Sequence, residues 1–284
     1  MRTTLPGARW QRFSIFTETG ARETSGPAEA IRPYRRSMVT FTARADIEQA
    51  LADPGLVPLP VETGPEGTMA WLRATVARFA HGAVHARRRA YVETELARID
   101  VGELRRLAAS TTADDDRALI LRTLARAMGL PDLDDSAIEA LRTVAANYFG
   151  GDDPAADGAV RLLLPLMRTP DPEQAANRVG ILVQACDATA ALIAAARDTG
   201  DVAAAVHAKP PVQVMRRIAR TATRVGDTEI PAGEPVLLEV GPLGLAFGHG
   251  PRVCPGRALA LALAEGALSE DAPAENGSAE GPAD

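Results

Sequence analysis

A glycine-rich segment that carries one cysteine and runs into a helix constrains this chain more than any other feature. The segment reads Phe247-Gly248-His249-Gly250-Pro251-Arg252-Val253-Cys254-Pro255-Gly256, and a helical pattern follows over residues 257–268. Backbone N–H groups and a helix N-terminus stabilise a cysteine thiolate. Glycines let the backbone approach a flat ligand where a Cβ would collide, and Arg252 can neutralise an acidic group on that ligand. The segment therefore predicts a thiolate beside a bound group.

Cys254 has two possible roles besides binding such a group. A buried structural cysteine in a glycine-rich turn needs no ligand, and a zinc site would combine Cys254 with His249. The zinc site lacks a further cluster of Cys and His residues to supply the usual ~4 ligands. The second cysteine, Cys186, is expected to be a small core or pocket residue, since two cysteines cannot form a disulfide framework. The combination of glycines, arginine and following helix favours the ligand-binding role.

Hydrophobic periodicity predicts a mainly α-helical protein with a small β component. Helical patterns cover residues 47–52, 71–99 with a break at Gly82, 101–109, 115–128, 135–148, 156–167, 173–197 and 257–268. Strand patterns cover residues 37–42, 212–224 and 227–240. We expect one domain over residues 1–268 and a disordered acidic tail over residues 269–284.

The composition of the 284-residue chain excludes several classes of function. A net charge of −6 provides no global basic field that would attract nucleic acid or anionic lipid. No apolar run near Met1 has the form of a signal peptide, and charges are expected to interrupt each apolar stretch before the ~20 residues of a membrane span. We therefore expect a cytoplasmic protein with neither a nucleic-acid nor a membrane partner.

The cysteine segment resembles the haem-binding signature of cytochromes P450, Phe-Gly-x-Gly-x-(His/Arg)-x-Cys-x-Gly, at every fixed position. The resemblance implies a truncated cytochrome P450-like fold around haem b (iron protoporphyrin IX), with Cys254 as the axial ligand of the iron. A thiolate in that position favours O–O cleavage. Phe247, Gly248 and Gly256 are then cofactor-binding residues.

Two further segments resemble parts of the same family that hold the haem propionates. His85-Ala86-Arg87-Arg88-Arg89 resembles a His-x-Arg-x-Arg helix, and its i, i+4 spacing places His85 and Arg89 on one helix face. Residues 210–217 resemble a strand entry in which an arginine points at the propionates, a place taken here by Arg217, and residues 230–238 continue that match. By this resemblance, the propionates are held by His85, Arg89, Arg217 and Arg252.

The long helix predicted over residues 173–197 falls where the family has its distal helix. Gln184-Ala185-Cys186-Asp187-Ala188-Thr189 aligns with the pattern Ala-Gly-x-(Asp/Glu)-Thr-Thr. The acid is kept as Asp187, the relay threonine is replaced by Ala188, and Thr189 is rotated by about 100° round the helix. Asp187 and Thr189 are the candidate catalytic residues, although Asp187 fits a structural carboxylate equally well.

The chain also departs from the family pattern. Ala204-Ala205-Val206-His207 stands where a Glu-x-x-Arg motif belongs. The region of the family's J and K helices, the meander before the cysteine loop and the F–G region are shortened or deleted. Because the segments that usually cover the haem are shortened, a second copy of the chain could close the site. A homodimer is therefore one of the arrangements considered.

The resemblance implies a haem-thiolate oxidoreductase that acts on a small organic substrate in specialised-metabolite biosynthesis. Because the relay threonine is lost, a peroxygenase becomes a more plausible alternative to a monooxygenase than it usually is in the family. Electrons would come from a ferredoxin and its reductase or from peroxide. Arg87 and Arg88 are either a docking site for an acidic ferredoxin or ordinary solvated side chains. The alternative function is that of a non-catalytic homologue that serves a partner protein.

Overall fold

A computed structural model describes residues 38–151 and 153–270 of the chain. Within these residues, the α-helices are α1 Arg44–Ala52, α2 Met69–Thr75, α3 Gly82–Ala97, α4 Val101–Ser110, α5 Asp116–Ala127, α6 Asp135–Tyr148, α7 Ala155–Leu163, α8 Pro172–Thr199, α9 Val202–Ala208 and α10 Arg257–Glu270. Helix α10 includes two residues that were assigned to the disordered tail, and the rest of that tail, residues 271–284, lies outside the described residues.

The described strands form two small sheets. The strands are β1 Val39–Phe41, β2 Leu56–Val57, β3 Val214–Ala219, β4 Thr223–Val225, β5 Thr228–Ile230 and β6 Pro235–Glu239. The larger sheet has the order β1-β6-β3-β2, in which β1 pairs with β6 in parallel and the other pairs are antiparallel; β4 and β5 form a hairpin. The predicted mainly helical fold with a little sheet is confirmed.

Aspartates at the N-caps show why the starts of α4, α5, α6 and α8 were predictable. The side chains of five aspartates accept hydrogen bonds from backbone N–H groups in the first turns of α4, α5, α6, α8 and α9, and these are Asp100, Asp115, Asp134, Asp171 and Asp201. An N-cap carboxylate satisfies a donor that the helix itself leaves free and interacts favourably with the helix dipole.

Helix α8 forms the centre of the helical core. It packs against α5, α6, α9 and α10. The helix is long and apolar enough to cross a membrane by length and composition alone, although Asp187 interrupts its apolar stretch between Arg178 and Arg197. Most of its apolar window, 61%, is nevertheless buried against the rest of the chain, as in the core helix of a globular domain.

Two apolar cores flank the cysteine loop. The larger joins α8 to the other long helices and α10, and the smaller lies between α1 and the larger sheet. Helix α1 packs against the 3-10 turn Gly250–Arg252, and β3 approaches the loop through Met215, whose Cε lies 3.7 Å from the place of a Cβ on Gly248. The cysteine loop therefore lies where helices and sheet meet.

The structure divides the helix predicted over residues 71–99 earlier than the sequence suggested. Helix α2 ends at Thr75, a 3-10 turn covers Ala77–Phe79, and α3 begins at Gly82. The side chain of Asn177 in α8 accepts the N–H of Ala77 at 2.9 Å. This long-range hydrogen bond interrupts what would otherwise be a continuous helix, and it fixes the position of the 3-10 turn next to the cysteine loop.

Candidate functional site

The cysteine loop is closed by its own backbone. The N–H of Cys254 donates to the carbonyl oxygen of Phe247 at 2.7 Å, and the N–H of Gly256 donates to the Cys254 sulfur. The Phe247 ring packs on the helical core, with the Arg257 guanidinium 5.4 Å from its centroid. The loop thus presents a half-buried sulfur at the N-terminal end of α10.

Backbone conformation accounts for two of the three glycines predicted to matter in this loop. Gly248 and Gly250 have φ values of 78° and 66°, in the left-handed region that favours glycine. A Cβ on Gly250 would also lie 3.2 Å from the Cα of Ala52. A Cβ on Gly256 would meet only Leu96 at 3.9 Å, so the protein alone does not require that glycine. Its predicted role beside a flat ligand stays a prediction.

The surroundings of Cys254 combine burial with positive charge. Burial raises the pKa of the Cys254 thiol, whereas the N–H of Gly256 and the charges of Arg89, Arg78 and Arg257 act in the opposite direction. A metal ion removes the proton from a thiol that binds it. The arrangement therefore supplies what a thiolate ligand needs, a backbone donor and nearby cations.

The four side chains predicted to hold propionates lie close together, although they come from three separate parts of the chain. Arg89 of α3 donates to the carbonyl oxygen of Val253 in the cysteine loop at 2.7 Å and to Glu93 at 2.6 Å. Arg252 donates to the carbonyl oxygen of Ala80 at 2.7 Å. The structure thus brings these three segments to one place, and the role of the four side chains as propionate ligands stays a prediction.

Burial, with a further contribution from like charges, lowers the pKa values of two arginines in this group. Burial lowers the pKa of Arg217 to about 9, with a further contribution from Arg78 and Arg252. Burial lowers the pKa of Arg252 to about 10, with a contribution from Arg78 and Arg89. We call Arg78, Arg89, Arg217 and Arg252 the cation cluster.

Three arginines of the cation cluster, Arg89, Arg217 and Arg252, fit a haem with two acidic groups together with the cysteine. Arg217 on β3 is only 4% exposed, and its Nε has no hydrogen-bond partner among the described residues. A buried charge is costly unless it is paired. Among the described residues, the carboxylate that pairs with a member of this cluster is that of Glu93, which forms an ion pair with Arg89. Two propionates would supply the missing negative charge beside a sulfur able to bind iron.

Arg78 is the member of the cluster that was not among the predicted site residues. It lies in the 3-10 turn between α2 and α3, within a stretch predicted as continuous helix. Burial lowers its pKa, while Tyr148 and Cys254 are near enough to act in the opposite direction. No local pattern marks this residue, because the turn that positions it depends on Asn177 in another helix.

His85 is held in its neutral form, which predicts a pH dependence of stability. Burial lowers its pKa from 6.5 to about 4, with further contributions from Arg252 and Arg89. Because the folded pKa lies below the unfolded one, the unfolded chain binds more protons between these values. The haem-free protein should therefore lose stability as the pH falls from about 6.5 to about 4.

Urea unfolding of the haem-free protein at several pH values tests this expectation. In the His85→Gln variant, the part of the decline that falls between pH 6.5 and 4 should be smaller than in the wild type. His249→Gln is the matched control, since it changes a histidine of the cysteine loop that is not in the predicted propionate set. An identical pH profile for wild type and His85→Gln would contradict the assignment.

The structure does not bring the two predicted distal residues together. Asp187 forms an ion pair with Arg117 of α5 at 2.7 Å. Thr189 is 3% exposed and lies about 200° further round α8. Asp187 thus has a structural partner, and a shared proton relay would need a bridge that the geometry of these two side chains does not provide. Catalytic roles for either residue stay predictions.

One face of α8 is partly exposed near residues 184–189, the segment that aligns with the family's distal pattern. Gln184 is an exposed residue in the middle of this mostly buried helix, and Ala185, Ala188 and Ala191 are half-buried. Residues 184, 188 and 191 share a face by their i, i+4, i+7 spacing. The alanine at the place of the relay threonine is therefore not enclosed by the described core.

The two arginines considered for ferredoxin docking bind within the chain. Arg87 and Arg88 both form ion pairs with Glu173 at the start of α8. Arg88 also donates to the carbonyl oxygen of Ala74 at 2.7 Å, and its side chain is 12% exposed. Arg88 is therefore not an ordinary solvated arginine, whereas Arg87 keeps a 65% exposed side chain.

Clusters of metal-binding side chains are absent from the part of the chain that the structure describes. No group of three or more His, Cys, Asp and Glu side chains there could hold a metal ion. The zinc alternative for Cys254 and His249 therefore gains no additional ligands from the described residues. A haem needs only one axial ligand from the protein at Cys254.

The chain has the fold of the cytochromes P450. It is similar to P450BioI, solved with an acyl carrier protein ligated to hexadec-9Z-enoic acid, with a TM-score of 0.65 and 16% identity over 81% of this chain and 83% of that chain. It is also similar to CalO2, with a TM-score of 0.67 and 15% identity over 83% of this chain and 82% of that chain.

A thermophilic cytochrome P450 from Sulfolobus tokodaii has a TM-score of 0.62 and 14% identity, over 84% of this chain and 87% of that chain. No protein-family profile and no curated protein sequence matches the chain. At these identities the likeness concerns the fold, and the chemistry must be argued from the site.

Proposed function

We propose that this protein binds haem b, with Cys254 as the iron ligand, and acts as a haem-thiolate oxidoreductase on a small organic substrate. The observation that carries the proposal is that a cysteine with a backbone N–H donor lies beside a cluster of buried and half-buried arginines in a cytochrome P450 fold. A buried cluster of like charges is unfavourable by itself and becomes favourable with an acidic ligand.

The side chains of the site have distinct tasks in this proposal. Arg217, Arg252 and Arg89 bind the two propionates, and His85 donates a hydrogen bond to one of them. The N–H of Gly256 stabilises the thiolate by a hydrogen bond, and the hydrogen bond from Arg89 to Val253 holds α3 against the loop. When bound, the haem supplies redox and oxygen-transfer chemistry.

The absence of a hydroxyl at Ala188 supports peroxide as the oxidant. A monooxygenase must deliver protons to bound dioxygen, and Asp187 is engaged by Arg117. Peroxide already carries the two electrons and the protons that dioxygen would need. A ferredoxin and its reductase remain the other proposed electron source. We propose a cytoplasmic location for either version and a place in specialised-metabolite biosynthesis.

Haem uptake by the purified protein is the first test of the proposal. We expect the protein to take up haemin, and its reduced, CO-bound form to show the red-shifted Soret band of a thiolate ligand. Catalysis is then tested by oxidation of small phenolic and thioether compounds, with peroxide and with a ferredoxin system in parallel. Protein that stays colourless with haemin would contradict the proposed function.

A non-catalytic role is the second candidate, and one specific observation favours it. The seven-residue helix α9, Val202–Ala208, occupies the place of the Glu-x-x-Arg motif and carries neither of its charged residues. This candidate predicts haem binding without turnover by either oxidant, or a folded protein without haem. The retained cysteine and arginines argue against it, because a scaffold does not need them.

A further inference from the structure

A polar and aromatic group surrounds Arg78 of the cation cluster and has no task in the haem binding proposed above. The guanidinium of Arg78 lies 5.7 Å from the ring centroid of Phe79 and 5.6 Å from that of Phe149. The ring of Tyr148 is 5.2 Å from Phe79 and 5.3 Å from Phe149. We call these four residues, Arg78, Phe79, Tyr148 and Phe149, the Arg78 group.

Charge balance singles out Arg78 within the cation cluster. The four guanidiniums carry four positive charges, and Glu93 with two propionates would carry three negative ones. His85 is neutral near pH 7, because its pKa is about 4. One positive charge is left over, and Arg78 has no hydrogen bond or ion pair to any described residue. The other three arginines donate hydrogen bonds to backbone carbonyl oxygens, Arg89 to Val253, Arg252 to Ala80 and Arg217 to Arg216.

A second, independent observation points to an anionic ligand at the same place. Tyr148 is fully buried, and its hydroxyl has no hydrogen-bond partner among the residues that the structure describes. A buried hydroxyl without a hydrogen-bond partner is unfavourable. A Cβ on Gly180 of α8 would lie 3.3 Å from this hydroxyl, so the oxygen lies against the long helix near the open face of the site.

We propose that Arg78 and Tyr148 bind the carboxylate of the substrate, with Phe79 and Phe149 against an apolar or aromatic part of it. This inference rests on the proposed function and names the substrate class of the same site. A guanidinium binds a carboxylate through two parallel hydrogen bonds, and a tyrosine hydroxyl can donate a third. The half-exposed Phe149 ring, at 50%, offers the apolar surface next to the charge.

The experiment compares a carboxylate with its neutral counterpart. The probes are 3-phenylpropionate and 3-phenylpropionamide, which differ in charge but share the ring and chain length. Binding is measured by calorimetric titration of the haem-loaded and the haem-free protein, and by the shift of the Soret band in the loaded protein. Wild type should bind the carboxylate at least about tenfold more tightly than the amide.

Three substitutions test the residues. Arg78→Met should remove the preference for the carboxylate, Arg78→Lys should keep part of it because the charge remains, and Tyr148→Phe should weaken it several-fold. Arg106→Met is the matched control, since Arg106 is a surface arginine paired with Glu103 on α4. Haem content should equal that of the wild type in Arg78→Met, as expected for a residue that binds substrate.

The outcomes separate this inference from the proposed function. Equal affinities for carboxylate and amide in the wild type would overturn the inference and leave haem binding untouched. Loss of haem from Arg78→Met in parallel with loss of carboxylate binding would also overturn it, by making Arg78 a propionate ligand. A wild type that takes up no haem contradicts the proposed function, while titration of the haem-free protein still decides whether Arg78 selects a carboxylate.

Discussion

Replacing Cys254 with alanine is expected to abolish the thiolate-type Soret band of the reduced, CO-bound protein while leaving the chain folded. The sulfur is half-buried, and its backbone N–H is bonded to the carbonyl oxygen of Phe247, a bond that alanine retains. The expected cost in stability is therefore small, about 1 kcal/mol, whereas the loss of the band is complete. Absorption spectra and haem content of the purified variant measure the two effects separately.

The second cysteine provides the matched control for this substitution. Cys186 is fully buried in α8, and burial raises the pKa of its thiol to about 12. Cys186→Ala should lower stability through the small cavity that it creates, and it should keep the thiolate band. A band that survives in Cys254→Ala or disappears in Cys186→Ala would show that the ligand assignment is wrong.

Arg217→Met is expected to have opposite effects on the haem-free and the haem-loaded protein. Arg217 is 4% exposed, its pKa is lowered to about 9 and its Nε lacks a partner in the described chain. Removal of this buried charge should stabilise the haem-free protein by about 1–4 kcal/mol, since similar replacements of buried charges by apolar groups do so. The same change should weaken haem affinity by at least about tenfold, through loss of a charge-assisted hydrogen bond.

Thermal unfolding without haem and haemin titration measure the two sides of this prediction. Arg178→Met is the control, because Arg178 is also poorly exposed but is paired with the buried Glu95 at 2.8 Å. That variant should destabilise the protein and leave haem affinity unchanged. A haem whose propionates are methyl esters should bind the wild type more weakly than haemin binds Arg217→Met, since it loses the partners of all three propionate-binding arginines. Destabilisation of the haem-free protein by Arg217→Met would contradict the proposed repulsion within the cluster.

The cysteine loop and the helix starts were predictable because they depend on local chemistry. Asp134 caps α6 by bonding to Ala137, three residues away, and the periodic pattern that follows gave both ends of that helix correctly. The left-handed conformations of Gly248 and Gly250 likewise belong to the loop itself. Such features follow from residues within a few positions of each other.

Other features depended on contacts between distant parts of the chain. The turn that carries Arg78 exists because Asn177, 100 positions later, takes the N–H of Ala77. The partner of Asp187 is Arg117, and the rotation of α8 that brings them together is decided by packing against α5 and α6. Helix α9 was too short and too rich in alanine for a periodic pattern to show it.

The mutual repulsion within the cation cluster also bears on how much of this protein a cell can accumulate. A ligand that binds only the folded chain shifts the balance between folded and unfolded molecules by mass action. An acidic ligand at this place would add a further stabilisation of the folded chain, since it would offset the repulsion between Arg217, Arg252 and Arg78 that otherwise favours unfolding. Newly made chains should therefore be degraded faster when that ligand is scarce, so that supply of the ligand sets the amount of protein.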